Sequence, residues 1–328
     1  MKKFFIFAVA LACANFTLVA CDDDDDDDDS EEDSTTTIVA DFTDGVTYDD
    51  ALYSYVTSIA DVNTYIFTDA DEVCDIYTYA TSEEIVSAVL SGTASYVTNE
   101  AIATASSDWY GGFIPTWFTA TDTATSVYAP ISGTFNSGSG ALLCNPGTAC
   151  RAMFMQHSSS DYSLSSLLSS VTLAGIYVNN TWLYKALANG DTDVLDEYDI
   201  DPLEAGQSIT LVVNGYVSGD YSYDSFSSFF SSIADDATGL LTGGVQCENT
   251  VTLAECDSDG NVTVLEDWTF IDLSDLADYK LIEVSIETDG FDDDEELNDY
   301  LNIVLVDDIT YASESTLSSL ISSLLGSN

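Results

Sequence analysis

Positively charged side chains are almost absent from this chain of 328 residues. It contains 5 Lys and Arg against 58 Asp and Glu, which gives a formal net charge of −53 at pH 7. Such a surface repels nucleic acids and anionic membrane faces, because binding to either depends on basic residues that neutralise phosphates. Counterions of a saline medium would screen the repulsion between the carboxylates. We therefore exclude nucleic-acid partners and expect stability to rise with salt.

Histidine is equally scarce, since His157 is the only one in the chain. No order of Ser, His and Asp and no Gly-x-Ser-x-Gly segment accompanies it, so hydrolysis through a catalytic triad has no support. A zinc site is disfavoured because the chain also lacks a Cys-x-x-Cys pair. Pairs of acids carry little information among 58 carboxylates. We predict a protein that is not an enzyme and requires no cofactor.

Cysteines are few, and two of the seven lie within the first 21 residues. The other five are Cys74, Cys144, Cys150, Cys247 and Cys256. Cys144 and Cys150 flank a turn sequence, and Cys247 and Cys256 are close along the chain. In an oxidising compartment this spacing predicts two short-loop disulfides, Cys144–Cys150 and Cys247–Cys256. Cys74 is then left over.

The pattern at the N-terminus predicts a secretory signal. Lys2 and Lys3 precede an apolar run from Phe4 to Ala20, which is short for a transmembrane helix and is followed at once by acids. The ending Leu-Val-Ala-Cys resembles the lipobox of bacterial lipoproteins, which implies cleavage before Cys21 and acylation of that cysteine. Residues 1–20 are thus predicted to be a signal peptide, and acylated Cys21 to anchor the protein in a lipid bilayer.

An acidic run follows the anchor, beginning with eight aspartates at Asp22–Asp29. These residues repel one another and cannot bury apolar surface, so 21–35 is predicted to be a disordered tether. A specific calcium site in the run is the alternative, opposed by the entropy lost on ordering each ligand. Acids after a lipidated cysteine resemble an export signal of outer-membrane lipoproteins, which implies display on the cell surface.

Alternation of apolar and polar residues dominates the body, 36–311, and turn signals such as Asp259-Gly260-Asn261 separate its segments. The predicted strands are Ile38–Phe42, Ser208–Gly215, Val262–Leu265, Lys280–Ile286 and Leu301–Val306. Short strands at this spacing predict an all-β protein, an antiparallel β-sandwich of jelly-roll type.

Helical patterns interrupt the body and end the chain. Ser82–Leu90 is a predicted helix, and so is Thr181–Ala188, with Asn180 as its N-cap and Asn189-Gly190 at its end. Residues 312–328 have apolar positions at helical spacing and predict an amphipathic helix. This tail would either dock on the body or contact a partner or membrane.

Several segments form an ordered series along the body. They are SDWYGG (Ser107–Gly112), GTFNSGSGALL (Gly133–Leu143), GIYVNNTWLYKALANGD (Gly175–Asp191), ITLVVNGY (Ile209–Tyr216), EDWTFIDLSDL (Glu266–Leu276) and LVDDI (Leu305–Ile309). The series resembles the bacterial lipoprotein family known as domain-of-unknown-function family 4465 (DUF4465). The resemblance covers mainly 108–311 and leaves 44–106 as an insertion.

The resemblance implies a jelly-roll sandwich on a lipid anchor, without catalysis. The family includes or closely neighbours surface lipoproteins of BtuH type, which bind vitamin B12 and related cobamides and hand them to an outer-membrane transporter. It therefore implies a cobamide as the bound small molecule and an outer-membrane transporter as the partner.

Aromatic residues next to glycines predict the ligand-binding face, because such rings can stack on a corrin, a nucleotide base or a sugar. They are Trp109, Tyr110, Trp117, Trp182 and Tyr184. Packing in the core is the alternative for this group. Trp268, which alternates with Phe270, is predicted to lie in the core.

One acidic residue is a candidate calcium ligand. Asp307 lies in the last predicted strand, where jelly-roll binding domains often keep an acid beside calcium, and it would otherwise cap backbone amides. Asp257–Asn261 starts like a calcium loop but lacks the later glutamate, so we predict a hairpin turn there.

These observations predict an outer-membrane lipoprotein, displayed on the cell surface, that binds a small molecule. A cobamide is the favoured ligand. A carbohydrate-binding module and a structural or adhesion domain are the alternatives, since a sandwich with exposed aromatics serves all three.

Overall fold

The computed structural model describes residues 36–42, 46–48, 63–69, 74–80, 109–116, 128–146, 152–156, 171–218, 244–291 and 297–313. The signal peptide, the tether, the helix predicted at Ser82–Leu90 and most of the C-terminal tail lie outside these ranges. Within them, no helix has the length and apolar character needed to cross a membrane.

Strands make up most of the described chain. They are β1 (Thr36–Ala40), β2 (Val46–Tyr48), β3 (Asn63–Asp69), β4 (Cys74–Ala80), β5 (Trp109–Thr116), β6 (Ala141–Asn145), β7 (Ala152–Gln156), β8 (Val171–Asn180), β9 (Ser208–Ser218), β10 (Val245–Gln246), β11 (Val251–Cys256), β12 (Val262–Val264), β13 (Thr269–Asp272), β14 (Tyr279–Asp289) and β15 (Val304–Ser313).

The strands form two packed antiparallel sheets. The β14 sheet has the order β12-β11-β9-β14-β7, with β10 also on β9. The β15 sheet has the order β5-β6-β15-β8-β13, with β1 also on β15. Strand β4 pairs with β7 and with β5 and so connects the two sheets. The predicted all-β antiparallel sandwich is confirmed.

Many successive strands alternate between the sheets, as in a jelly roll. Strands β6, β8, β13 and β15 belong to the β15 sheet, whereas β7, β9 and β14 belong to the β14 sheet. Because the chain crosses from one layer to the other at each connection from β6 to β9 and again from β12 to β15, residues far apart in sequence become neighbours on one face.

The core lies between the two sheets and follows from the period of two along each strand. Ile209, Leu211 and Val213 are fully buried on one face of β9, and Ile176 and Val178 are fully buried on β8. Each such side chain contributes about 1.5–3 kcal/mol when it leaves water. The side chains that alternate with Ile176 and Val178 therefore lie on the opposite, outer face of β8.

Two short helices follow β8: α1 (Leu183–Asn189) and α2 (Thr192–Glu197). The predicted helix at Thr181–Ala188 exists but begins at Leu183, and Gly190 ends it in the left-handed conformation with φ 61°. Asn180 is not its N-cap, so that prediction is wrong. Asn180 is the last residue of β8, and its side-chain amide donates to the carbonyls of Leu253 (2.8 Å) and Leu265 (3.0 Å).

The last strand also begins later than predicted. Leu301 and Asn302 donate their backbone amides to the carbonyl of Asn298, at 2.9 Å and 3.1 Å. These bonds form a turn, so β15 begins at Val304 rather than at Leu301.

The predicted Cys247–Cys256 disulfide is wrong. Both thiols are free, and the backbone amides of Cys247 and Cys256 bond to the carbonyls of Val213 and Gln207. Those carbonyls are six residues apart along extended chain, which corresponds to roughly 20 Å. A disulfide requires Cα atoms within about 7 Å. The bond cannot form because β11 holds the segment extended.

The predicted Cys144–Cys150 disulfide is also not formed. Cys144 is a buried free thiol on β6, opposite Phe113 of β5 and Val304 of β15. Burial raises the pKa of this thiol well above its ordinary value, because the thiolate would lose its hydration. The side chain belongs to the hydrophobic core, and Cys150 lies outside the described residues.

Candidate functional site

Three side chains form a row across neighbouring strands on the outer face of the β15 sheet. Phe270 of β13 pairs with Tyr177 of β8, and Tyr177 pairs with Asp307 of β15. The residues on either side of Tyr177, Ile176 and Val178, point into the core. Because side chains alternate along a strand, the row points away from the core.

Phe270 and Tyr177 form an aromatic pair, which we call the aromatic platform. Their ring centroids are 5.1 Å apart and the rings are inclined by 54°. Phe270 is 42% exposed, and among the side chains that the structure describes only Val245, at 45%, is a comparably exposed large apolar residue. A Cβ added at Gly175 would lie 2.3 Å from Cζ of Phe270, so this glycine makes room for the ring across β8.

A loop of six residues, Ser132–Ser137, covers the sheet beside the aromatic platform. It is attached to the residue just before β13 by a hydrogen bond of 2.7 Å from Nε1 of Trp268 to the carbonyl of Thr134. Trp268 is half-buried and packs against the core, in agreement with its predicted position. The 132–137 loop is therefore fixed near Phe270 through Trp268, which lies two residues earlier in the chain.

Two adjacent carboxylates hold the other end of the 132–137 loop. Oδ2 of Asp307 accepts the backbone amides of Asn136 (3.1 Å) and Ser137 (3.4 Å). Asp308 accepts the side-chain amide of Asn136 (2.6 Å) and the hydroxyl of Ser137 (2.5 Å). Asp307 thus has the backbone-capping role that the sequence suggested as one alternative.

Burial makes this carboxylate pair electrostatically costly. Asp307 is fully buried and Asp308 is 6% exposed. Loss of hydration, together with the adjacent charge of Asp308, raises the pKa of Asp307 to about 8. Asp308 also has φ 46°, in the left-handed region, at the point where the register of β15 with β8 shifts.

Asn179 lies on the same outer face, one residue beyond Val178. Its amide nitrogen donates to the hydroxyl of Ser132 at 3.0 Å, which ties the beginning of the 132–137 loop to β8. Its Oδ1 atom is buried and has no hydrogen-bond partner. An acceptor left in this state is unfavourable and marks a place where a water or a cation would bind.

The predicted binding aromatics are not brought together within the described part of the chain. Tyr184 is fully buried in the core and donates its hydroxyl to the carbonyl of Leu301, so its assignment to a binding face is wrong. Trp182 is half-buried and packs against the core. Trp109 and Tyr110 begin β5, but their side chains are outside the description, as are Trp117 and Cys21.

The sequence did not identify Phe270 and Tyr177. Phe270 alternates with the buried Ile271, a pattern that a strand with one exposed face also produces. The pairing of β13 with β8, about 90 residues earlier, places the two rings together, and spacing along the chain does not reveal it. Gly175 within a strand was the available signal, since such a glycine often marks close approach of a neighbouring group.

The solved structures that resemble this chain include two DUF4465 family proteins. No family model matches the sequence, and no curated protein matches it. A crystal structure of a DUF4465 family protein from Bacteroides caccae ATCC 43185 is 18% identical, covers 85% of this chain and 99% of its own, and has a TM-score of 0.49. One from Bacteroides ovatus ATCC 8483 is 17% identical, covers 86% and 100%, and has a TM-score of 0.49.

Proposed function

We propose that this protein is a lipid-anchored, surface-displayed lipoprotein that binds a small molecule on the outer face of its β15 sheet and performs no catalysis. The observation that carries the proposal is the exposed ring of Phe270, held against Tyr177 above Gly175. Aromatic rings in fixed positions offer a large contact area at little entropic cost, which suits recognition of a flat ligand.

The charge of the chain narrows the ligand class. With a net charge of −53, the protein repels anions at long range and admits neutral or cationic molecules. A cobamide is the leading candidate because the motif series of the body resembles a family related to cobamide-binding lipoproteins. Its broad corrin ring could stack on the aromatic platform.

The proposed location follows from the N-terminus. Acylation of Cys21 would anchor the chain in the outer membrane, and the acidic tether at 21–35 would hold the body away from the bilayer. In this arrangement the protein would capture its ligand at the cell surface and pass it to an outer-membrane transporter.

Carbohydrate binding is the second candidate, and one observation favours it. Asp272 lies opposite Gly175 on the same outer face as Phe270, and it is exposed. A single exposed ring with a carboxylate beside it matches the size and hydrogen-bonding needs of one or two sugar rings.

Calorimetric titration of the purified full-length protein distinguishes these functions. The ligands are cyanocobalamin and a panel of neutral glycans. Saturable heat with cyanocobalamin at one site per chain supports the first function, and saturable heat with a glycan supports the second. If none of these ligands binds, the ligand-binding proposal is overturned and an adhesion or structural role takes its place.

A further inference from the structure

We propose that Tyr128, Tyr198 and Tyr300, which we call the tyrosine cluster, form a second binding site that takes a small organic cation of the quaternary ammonium type. The proposal goes beyond ligand binding on the aromatic platform and does not depend on it. It rests on three features of the described residues: the convergence of three rings, hydroxyl groups without partners, and an acidic rim.

The tyrosine cluster lies at the end of the sandwich where β8 ends and β15 begins. Tyr128 precedes the segment that bridges to the end of β8. Tyr198 follows α2, and Tyr300 lies in the turn before β15. The side-chain amide of Asn298 donates to the carbonyl of Tyr198 at 3.2 Å, and its oxygen accepts the backbone amide of Tyr300 at 2.9 Å. One side chain therefore fixes the backbone at both tyrosines.

The first feature is the arrangement of the three rings. The ring centroids of Tyr198 and Tyr300 are 5.2 Å apart, with the rings inclined by 76°, and those of Tyr128 and Tyr300 are 6.4 Å apart, inclined by 37°. Tyr198 and Tyr300 are half-buried, whereas Tyr128 is 2% exposed and lies beneath them. A cation is attracted to an aromatic face within about 6 Å of the centroid, so one cation can reach more than one of these rings.

The second feature is the convergence of the phenol groups. Burial raises the pKa of the Tyr128 hydroxyl above its ordinary value, and the neighbouring phenols of Tyr300 and Tyr198 raise it further. Such an effect falls off with distance, so the hydroxyl groups lie near one another. None of them is hydrogen-bonded to a residue that the structure describes. Their lone pairs are therefore available to a positively charged group.

The third feature is the charge around the cluster. Glu197, Asp199 and Asp299, which flank the two half-buried tyrosines, are exposed. Burial and then the charge of Glu197 raise the pKa of the Tyr198 hydroxyl, so this carboxylate is close to the ring. Lys185 is the one basic residue whose side chain the structure describes, and it is exposed on α1. The field at the cluster therefore attracts cations and repels anions.

The chemistry of the cluster selects the kind of cation. Its three members offer aromatic faces and neutral phenol oxygens, whereas the carboxylates lie at its rim. A quaternary ammonium group has no N–H donor to satisfy, and its methyl groups pack against aromatic rings that also attract its charge. A small inorganic cation would instead need a shell of oxygen ligands to replace its water.

The first test uses the unaltered full-length protein and two compounds of the same shape. Choline and 3,3-dimethylbutan-1-ol differ in that choline carries a positive nitrogen where the alcohol has a carbon. Each is titrated to about 10 mM by calorimetry, with sodium chloride keeping the ionic strength constant. We expect saturable heat with choline at one site per chain, and binding at least about tenfold weaker for the neutral alcohol.

Two double variants test the rings. Y198L/Y300L keeps apolar side chains but removes both half-buried rings, and it should bind choline about tenfold more weakly or worse. Y198F/Y300F is the matched control, because it keeps the rings and loses only the hydroxyls. It should bind within about threefold of the unaltered protein.

Two single variants test the rim. D199N keeps a residue that tolerates the left-handed conformation at φ 54°, and it should weaken choline binding about two- to threefold. D278N is its control. Asp278 is also exposed, but it lies next to Tyr279, which pairs with the end of β9 farther from α2, so D278N should leave the affinity unchanged.

Three results would overturn the site. They are absence of saturable heat with choline, equal affinity for choline and the neutral alcohol, and equal affinity of Y198L/Y300L and Y198F/Y300F for choline. Phosphatidylcholine vesicles carry the same cationic group on a bilayer. Flotation of the protein with these vesicles, without binding of free choline, would identify a lipid headgroup and overturn the small-molecule ligand.

Discussion

Asp307 is the residue whose ionisation the fold changes most among those on the outer face. Its pKa rises from 3.8 to about 8, first because burial removes water and then because Asp308 is close. At pH values between these two pKa values, the folded protein binds more protons than the unfolded chain. Ionising Asp307 therefore costs stability, and the cost grows as pH rises from about 4 to about 8.

This predicts that the stability of the protein depends on pH. The midpoint of urea denaturation should be higher at about pH 5.5 than at about pH 8.5, and D307N should make the two midpoints more alike. D259N, which removes an exposed carboxylate, is the control and should keep the difference. An unchanged pH dependence in D307N would show that another group causes it.

Gly175 is the second residue with a specific local role. In G175A the new Cβ would lie 2.3 Å from both Cζ of Phe270 and the backbone oxygen of Ile271. The backbone contact cannot be relieved by a rotamer change, so we expect a loss of about 1–3 kcal/mol in the free energy of unfolding. Urea denaturation measures it. In G175A/F270A the ring contact is gone but the Ile271 contact stays, so only part of the loss should be recovered.

At the scale of elements, Asn180 ties the two sheets together. It ends β8 in the β15 sheet, and its amide reaches Leu253 of β11 and Leu265 after β12, both on the β14 sheet side. N180A removes these bonds inside the sandwich and should lower the free energy of unfolding by about 1–3 kcal/mol.

Asn249 offers a matched control for that prediction. Its amide also donates to a backbone carbonyl, that of Asp272, at 2.9 Å, but in an exposed position. Water can replace this bond, so N249A should cost clearly less than N180A when both are compared by urea denaturation. Equal losses would mean that Asn180 does not link the sheets in the way described.

The strands differ in how well the sequence predicts them. Strands β9 and β14 were found because their apolar residues alternate, as Ile209, Leu211 and Val213 show. Strand β6 has no such alternation, since Ala141–Cys144 are buried on both faces. A run of this kind does not distinguish a strand from another buried segment.

The sequence likewise predicts only some of the functional residues. Asp307 was identifiable because an acid stands out in an apolar final strand. The aromatic platform depends on the register of β13 with β8, and the role of Asn180 depends on carbonyls 73 and 85 residues away. Such contacts are set by the packing of the whole sandwich, so local patterns do not contain them.

For the whole molecule, electrostatic repulsion is the dominant feature. A net charge of −53 destabilises the compact state, and salt weakens that repulsion because the screening length falls from about 30 Å at 0.01 M to about 10 Å at 0.1 M. We expect the melting temperature to rise with sodium chloride over this range, before salt effects on the hydrophobic core matter. A melting temperature that is the same at both concentrations would contradict this view.

The central claim is that the aromatic platform on the outer face of the β15 sheet binds the ligand. Calorimetric affinities of F270A and V245A for cyanocobalamin, or for the strongest glycan of the panel if cyanocobalamin does not bind, test it most directly. Both variants lose a similarly exposed apolar side chain, 42% and 45% exposed. We predict that F270A binds about tenfold more weakly or worse, as expected for loss of about 1.4 kcal/mol of stacking, while V245A binds like the unaltered protein. Equal affinities of the two variants would place the ligand elsewhere on the molecule.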